Sequence, residues 1–148
     1  MATTSVASLT TAQIASLTTD QIVGLVAAQL GAMADKITGM TPNQMSAIET
    51  ADFSSITTTQ IESLSATQVK ALTTSQLQNL STSQFQAITA SDLKSLNAAQ
   101  AKALTTAEVS IMTTAQVAAL TKDQVAGFTT AQVHALTTTQ VWLSLIHI

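Results

Sequence analysis

Cysteine is absent from this chain, and with it go disulfide bridges and thiolate metal sites. Arginine is absent too: the five basic residues are all lysines, set against eight Asp and Glu for a net charge of −3. Phosphate binding needs clustered basic side chains with stacking aromatics, and only Trp142 and three Phe are aromatic here. Nucleic acid is therefore not an expected partner. Glycine is scarce, with four copies, and none forms a phosphate-cradling loop; calcium-loop spacing is missing as well. A membrane span needs about 20 mostly apolar residues. The most apolar stretch, 22–33, is shorter and contains Gln29, so no membrane insertion is expected. The start, Met1 to Val6, lacks the basic region and apolar core of a Sec-type signal peptide, which leaves the cytoplasm or a leaderless export route.

What the chain does have is a period of eight. Leu72-Thr73-Thr74-Ser75-Gln76-Leu77-Gln78-Asn79 is one copy, and Met112-Thr113-Thr114-Ala115-Gln116-Val117-Ala118-Ala119 is another. Seventeen copies begin at residues 9, 17, 25, 33, 40, 48, 56, 64, 72, 80, 88, 96, 104, 112, 120, 128 and 136, and the copy at 33–39 is one residue short. Repetition this dense implies an array in which each unit stacks on its neighbours.

The period discriminates among architectures. In a continuous α-helix eight residues drift by about 80°, so no apolar face would persist. In a β-solenoid the large apolar positions, the first and the sixth, have opposite parity and would point to opposite faces. One short helix per octad satisfies every position. Thr at position two is an N-cap and Gln at position five stands three residues later, the capping box. Leu at position one and Val at position six then form the hydrophobic staple across the cap. Pro42 follows Thr41 and so falls at N1, the helical position that favours proline. The expected fold is all-α, a solenoid of very short N-capped helices over residues 1–142, with two to four octads per coil.

Each position then acquires a role. Leu64, Leu72, Leu80, Ile61, Val69, Leu77 and Phe85 are expected in the core, as are Met33, Met40, Met45 and Met112. Positions four and seven hold most of the charge, including Asp20, Asp123, Glu62, Lys70, Lys94 and Lys102, and should face water. Small residues at position eight, such as Ala71, Ala103 and Gly127, would let helices approach closely. Val26, Ala34 and Glu49 break the cap rule. In this part of the chain Ile22, Val26, Leu30, Met33 and Ile37 fall at spacings of three and four, which predicts a longer regular helix over 20–37 that caps the core.

Residues 143–148, Leu-Ser-Leu-Ile-His-Ile, leave the repeat abruptly. They match the translation of CTG TCT CTT ATA CAC ATC, a sequence resembling the mosaic-end adapter of transposon-based libraries, and Trp142 sits at the junction. The tail is read as non-native and the natural array as longer.

No constellation for catalysis, cofactor or metal emerges. His134 is the one histidine outside the tail and has no convergent partners. Asp52, Asp92 and Glu108 occupy the Gln slot of the capping box, which gives them a structural role. Thr at positions two and three recurs at fixed spacing, similar to the ladders of ice-binding solenoids. Capping consumes the first of these Thr, however, and Ala, Pro, Asp or Lys often replaces the second.

The runs Leu9-Thr10-Thr11-Ala12-Gln13-Ile14 and Leu104-Thr105-Thr106-Ala107 through Leu136 resemble the octapeptide LTTAQ-V tandem repeats of large Gram-negative bacterial proteins regarded as exported or surface-associated. The resemblance implies a structural module, a spacer or stalk within a longer protein. The alternative is a binding scaffold presenting a Thr/Ser/Gln face to protein, glycan or ice. The chain is not expected to be an enzyme. An uncapped C-terminal repeat would offer a surface for end-to-end self-association.

Overall fold

The computed structural model describes residues 6–137 and Gln140. Among these residues there is no strand. One short helix occupies each octad from the one beginning at residue 9 to the one beginning at residue 128: α1 Thr11–Ala15, α2 Thr19–Val23, α3 Ala27–Ala32, a 3-10 segment Ala34–Gly39, α4 Pro42–Ala47, α5 Thr50–Phe53, α6 Thr58–Glu62, α7 Ala66–Lys70, α8 Thr74–Gln78, α9 Thr82–Ala87, α10 Ala90–Leu93, α11 Ala98–Ala103, α12 Thr106–Ser110, α13 Thr114–Ala119, α14 Lys122–Ala126 and α15 Thr130–Ala135. The chain is an all-α solenoid.

The boundaries come from local chemistry. At α8 the Thr73 backbone is extended, φ −73 and ψ 158, and its hydroxyl accepts from the Gln76 amide at 3.1 Å. The Gln76 side chain returns the bond, its Oε1 accepting from the Thr73 amide at 2.8 Å. The helix closes when the Leu80 amide bonds back to the Leu77 carbonyl at 3.1 Å, after which the next cap begins. Pro42 stands in the first turn of α4, where its missing N–H costs nothing.

This register makes the two threonines of the unit unequal. Thr73→Ala removes a side-chain acceptor from a helix N-terminus and should cost about 0.5–2 kcal/mol. Thr74 is the first helical residue and is exposed, so Thr74→Ala should change stability by less than about 0.5 kcal/mol. Urea unfolding of both variants measures the difference, and equal losses would contradict this register.

Helices of five or six residues do not survive alone in water. Here each packs on the third element along the chain: α7 on α10, α8 on α11, α12 on α15, α1 on the 3-10 segment. From Ala66 to Ala90 is 24 residues, so one coil contains three octads. The chain turns at each octad and returns to the same side every third one. Positions one and six point inward along most of the array, though Val133, at position six near its C-terminal end, is 44% exposed. Leu64, Leu72, Leu80, Ile61, Val69, Leu77 and Phe85 are all buried, as are Met33, Met40, Met45 and Met112. Lys70, Lys94, Lys102, Glu62, Asp20 and Asp123 are exposed. The small eighth position is tight at Gly127, where a Cβ would lie 3.1 Å from the Ala98 carbonyl oxygen.

The expected longer helix over 20–37 does not form. α2 ends at Val23, α3 begins at Ala27, and the short octad is a separate 3-10 segment. Val26 has no capping side chain, yet its backbone is extended and its amide still donates to Gln29 Oε1 at 2.9 Å. Half the box suffices to restart the helix. Val26 is 55% exposed, so the apolar spacing that suggested one helix does not describe one buried face. Tertiary contact decides the matter: α2 docks on α4 and α3 on α5. A straight helix of eighteen residues would run about 27 Å and leave the coil. Ala34, at φ 48, makes the break between α3 and the 3-10 segment. Gly39 then lets that segment touch the first coil, since a Cβ there would stand 2.5 Å from the Thr11 carbonyl oxygen.

The tail at 143–148 and Trp142 lie outside the described residues, so the adapter reading is untouched by the structure.

Candidate functional site

The most distinctive chemistry in the molecule is a column of buried glutamines. In the capping box only Oε1 and the backbone are engaged, and the Nε2 group is left over. The solenoid uses it. Gln76 Nε2 donates to the carbonyls of Met45 and Ile48, both at 2.9 Å. Gln124 Nε2 donates to Leu93 at 2.9 Å and Leu96 at 2.7 Å, and Gln132 Nε2 to Ala101 at 3.1 Å and Leu104 at 2.6 Å. The target is always the C-terminal end of a helix one coil back, where the last carbonyls have no partner within their own helix. One side chain therefore closes the N-terminus of its own helix and the C-terminus of another. These glutamines are buried: Gln76 and Gln124 are each 1% exposed.

This burial narrows the expected Thr/Ser/Gln face. The position-five glutamines of the later coils are interior, whereas Thr73, Thr74 and Ser75, and the position-seven glutamines Gln78 and Gln86, remain outside. The sequence did contain a signal. A capping box accepts Glu as well as Gln. The slot nevertheless holds Gln in thirteen octads and an acid in three. A preference for the neutral amide points to a second demand that a carboxylate does not meet, namely donation to carbonyls.

The departures show how the column adapts. In the short octad it is the glutamine slot that has gone, since Ile37 is buried and its carbonyl takes the place that Met45 and Leu93 take elsewhere. Lys36 fills in, its ammonium donating to the Ala7 carbonyl of the first coil. Asp52 is too short to reach its cap amide, and its Oδ1 accepts instead from the Ala27 amide of α3 at 3.0 Å. Asp92 accepts from the Thr89 hydroxyl at 2.5 Å, while Ser95 supplies a coil-to-coil bond to the Ala66 carbonyl at 2.9 Å. Glu108 keeps the box, its Oε2 accepting from the Thr105 amide at 2.6 Å, but its Oε1 is buried without a partner. Burial pushes this carboxyl up, against the lowering effect of its bonds to the Thr105 backbone and hydroxyl.

The remaining candidates are not brought together. His134 is exposed on α15. Among the described residues no group of three or more His, Asp or Glu is placed to hold a metal ion, and no helix is long and apolar enough to cross a membrane. A cavity of about 250 Å³ opens beside the irregular coil, lined by Gly31, Ala34, Asp35, Thr57, Gln60 and Ser63 among others. It sits where Ala34 breaks the repeat, and no cluster of titratable side chains converges on it.

No curated protein and no solved structure matches this chain. The ALTTAQ repeat matches it twice, over residues 45–82 and 85–122. Both matches fall on coils built mostly of units that carry the cap, the staple and the buried amide described above, and they include the departures at Asp52, Asp92 and Glu108. On this match, which covers half the sequence, the chain belongs to the ALTTAQ repeat family.

Proposed function

We propose that the array is a spacer or stalk within a longer bacterial protein, and that binding or catalysis resides in other parts of that protein. The observation that supports this reading is the uniformity of the joints. Each regular coil is bonded to the one before it by the same glutamine amides, and among the described residues no group of three or more His, Asp or Glu gathers on one coil to hold a metal ion. Such a design resists bending and extends by addition, because stability is a sum of unit and interface terms. The resemblance to repeats of exported or surface-associated proteins points the same way, and the chain itself is not an enzyme on this reading.

A second reading rests on the exposed Thr and Ser at positions two to four, which recur on the same side every three octads. That surface would suit a glycan or protein ligand with hydroxyl and amide groups. One experiment separates the two. Residues 72–95 form a whole coil, and their deletion should leave a folded, shorter rod with a helical circular dichroism spectrum and a smaller radius of gyration. Loss of folding would contradict the interchangeability of coils. If the intact chain binds a glycan on an array and the folded deletion variant does not, the scaffold reading replaces the spacer.

A further inference from the structure

We infer that Glu108 works as a neutral acid, its Oε1 carrying a proton that it donates to the Leu77 or the Leu80 carbonyl, so that this joint between coils loosens as the solution becomes more alkaline. The argument is the repeat itself. Every glutamine in the regular part of the column reaches the carbonyls 28 and 30 or 31 residues earlier: Gln76 those of Ile48 and Met45, Gln100 those of Leu72 and Lys70, Gln116 those of Ile88 and Phe85. For residue 108 the same offsets give Leu80 and Leu77.

Glu108 occupies the slot with the same box geometry, Oε2 taking the Thr105 amide at 2.6 Å and the Thr105 hydroxyl at 2.9 Å. Its other oxygen stands where the amide nitrogen stands in Gln100 and Gln116, and it has no partner. Carbonyl oxygens offer nothing to an ionised carboxylate, which accepts only. A protonated carboxyl restores the missing donor. No neighbouring charge would compensate an anion. α15, packed on α12, carries only His134, which is exposed; α8 and α9 carry no titratable residue; Lys102, on the preceding helix, is exposed.

The direction of the pH effect follows. At low pH the folded and unfolded chains both hold the proton and the joint has a donor. Burial raises the folded-state pKa above that of the unfolded chain. As pH rises the unfolded chain releases its proton first, and stability contributed by Glu108 is lost until the folded chain ionises too. Glu108→Gln installs the amide that other coils use and should remove the dependence.

The test is urea unfolding of the wild-type chain and Glu108→Gln across pH 4 to 9. The folding equilibrium constants should differ least in acid and diverge steadily with rising pH in favour of the variant. A gap that does not change with pH overturns the inference. So does an equal pH-dependent gain in Glu62→Gln, an exposed acid, because the effect would then be one of general charge. Infrared spectroscopy supplies an independent reading. A protonated-carboxyl stretch should persist above the pH at which the exposed carboxylates have ionised and vanish in Glu108→Gln. Its absence from the wild-type chain overturns the assignment.

Discussion

Gln76→Leu is expected to lower the stability of the array by about 3 kcal/mol, although the replacement is apolar, similar in size and placed in an apolar interior. Three backbone groups depend on Gln76: the Thr73 amide, and the carbonyls of Met45 and Ile48 in the neighbouring coil. Leaving buried groups of this kind unsatisfied costs about 1 kcal/mol or more each. The control lies within the same molecule. Gln13 forms the same capping box in α1 but is exposed and stands in the first coil, without a coil-to-coil bond of the Gln76 type. Gln13→Leu should cost at most about 1 kcal/mol, as for a single exposed hydrogen bond. Chemical denaturation of the two variants measures the difference. Equal small losses would mean that the column is a by-product of capping and does not hold the coils together.

The second large effect is expected in the core. Phe85 is fully buried on α9, and Phe85→Ala should cost about 3–5 kcal/mol through lost transfer energy and the cavity left behind. Phe128 occupies a core position nearer the C-terminal end and is only partly buried, so Phe128→Ala should cost markedly less. Urea midpoints report both. Because neighbouring coils are coupled only through their interfaces, Phe85→Ala should also broaden the transition as the array separates into halves. A loss near zero would show that the interior is loose enough to refill the space.

Much of this architecture was legible beforehand because it rests on interactions within one octad. A Thr three residues before a Gln starts a helix whatever surrounds it, and Pro42 at the first helical position confirmed the register. Leu72 and Leu77 are buried for the same reason: once the helix is placed, the residues flanking its cap fall on one side. The stretch 20–37 departs from its periodicity because that periodicity concerns side-chain type alone. Val26 satisfies the spacing but is exposed, and the chain breaks there to keep α2 and α3 in their coils.

The sequence by itself determined helix class, helix starts and the identity of the core, since capping boxes and staples span at most a few residues and act through local geometry. Only the tertiary structure decided how many octads make a coil, because that number depends on how short helices pack against helices 24 residues away. It also decided that the glutamines are interior. The Oε1 of Gln76 has a local partner, readable from spacing, whereas the partners of its Nε2 lie 28 and 31 residues back. The same distance hid the vacancy at Glu108, an ordinary capping residue until a coil of carbonyls is laid against it.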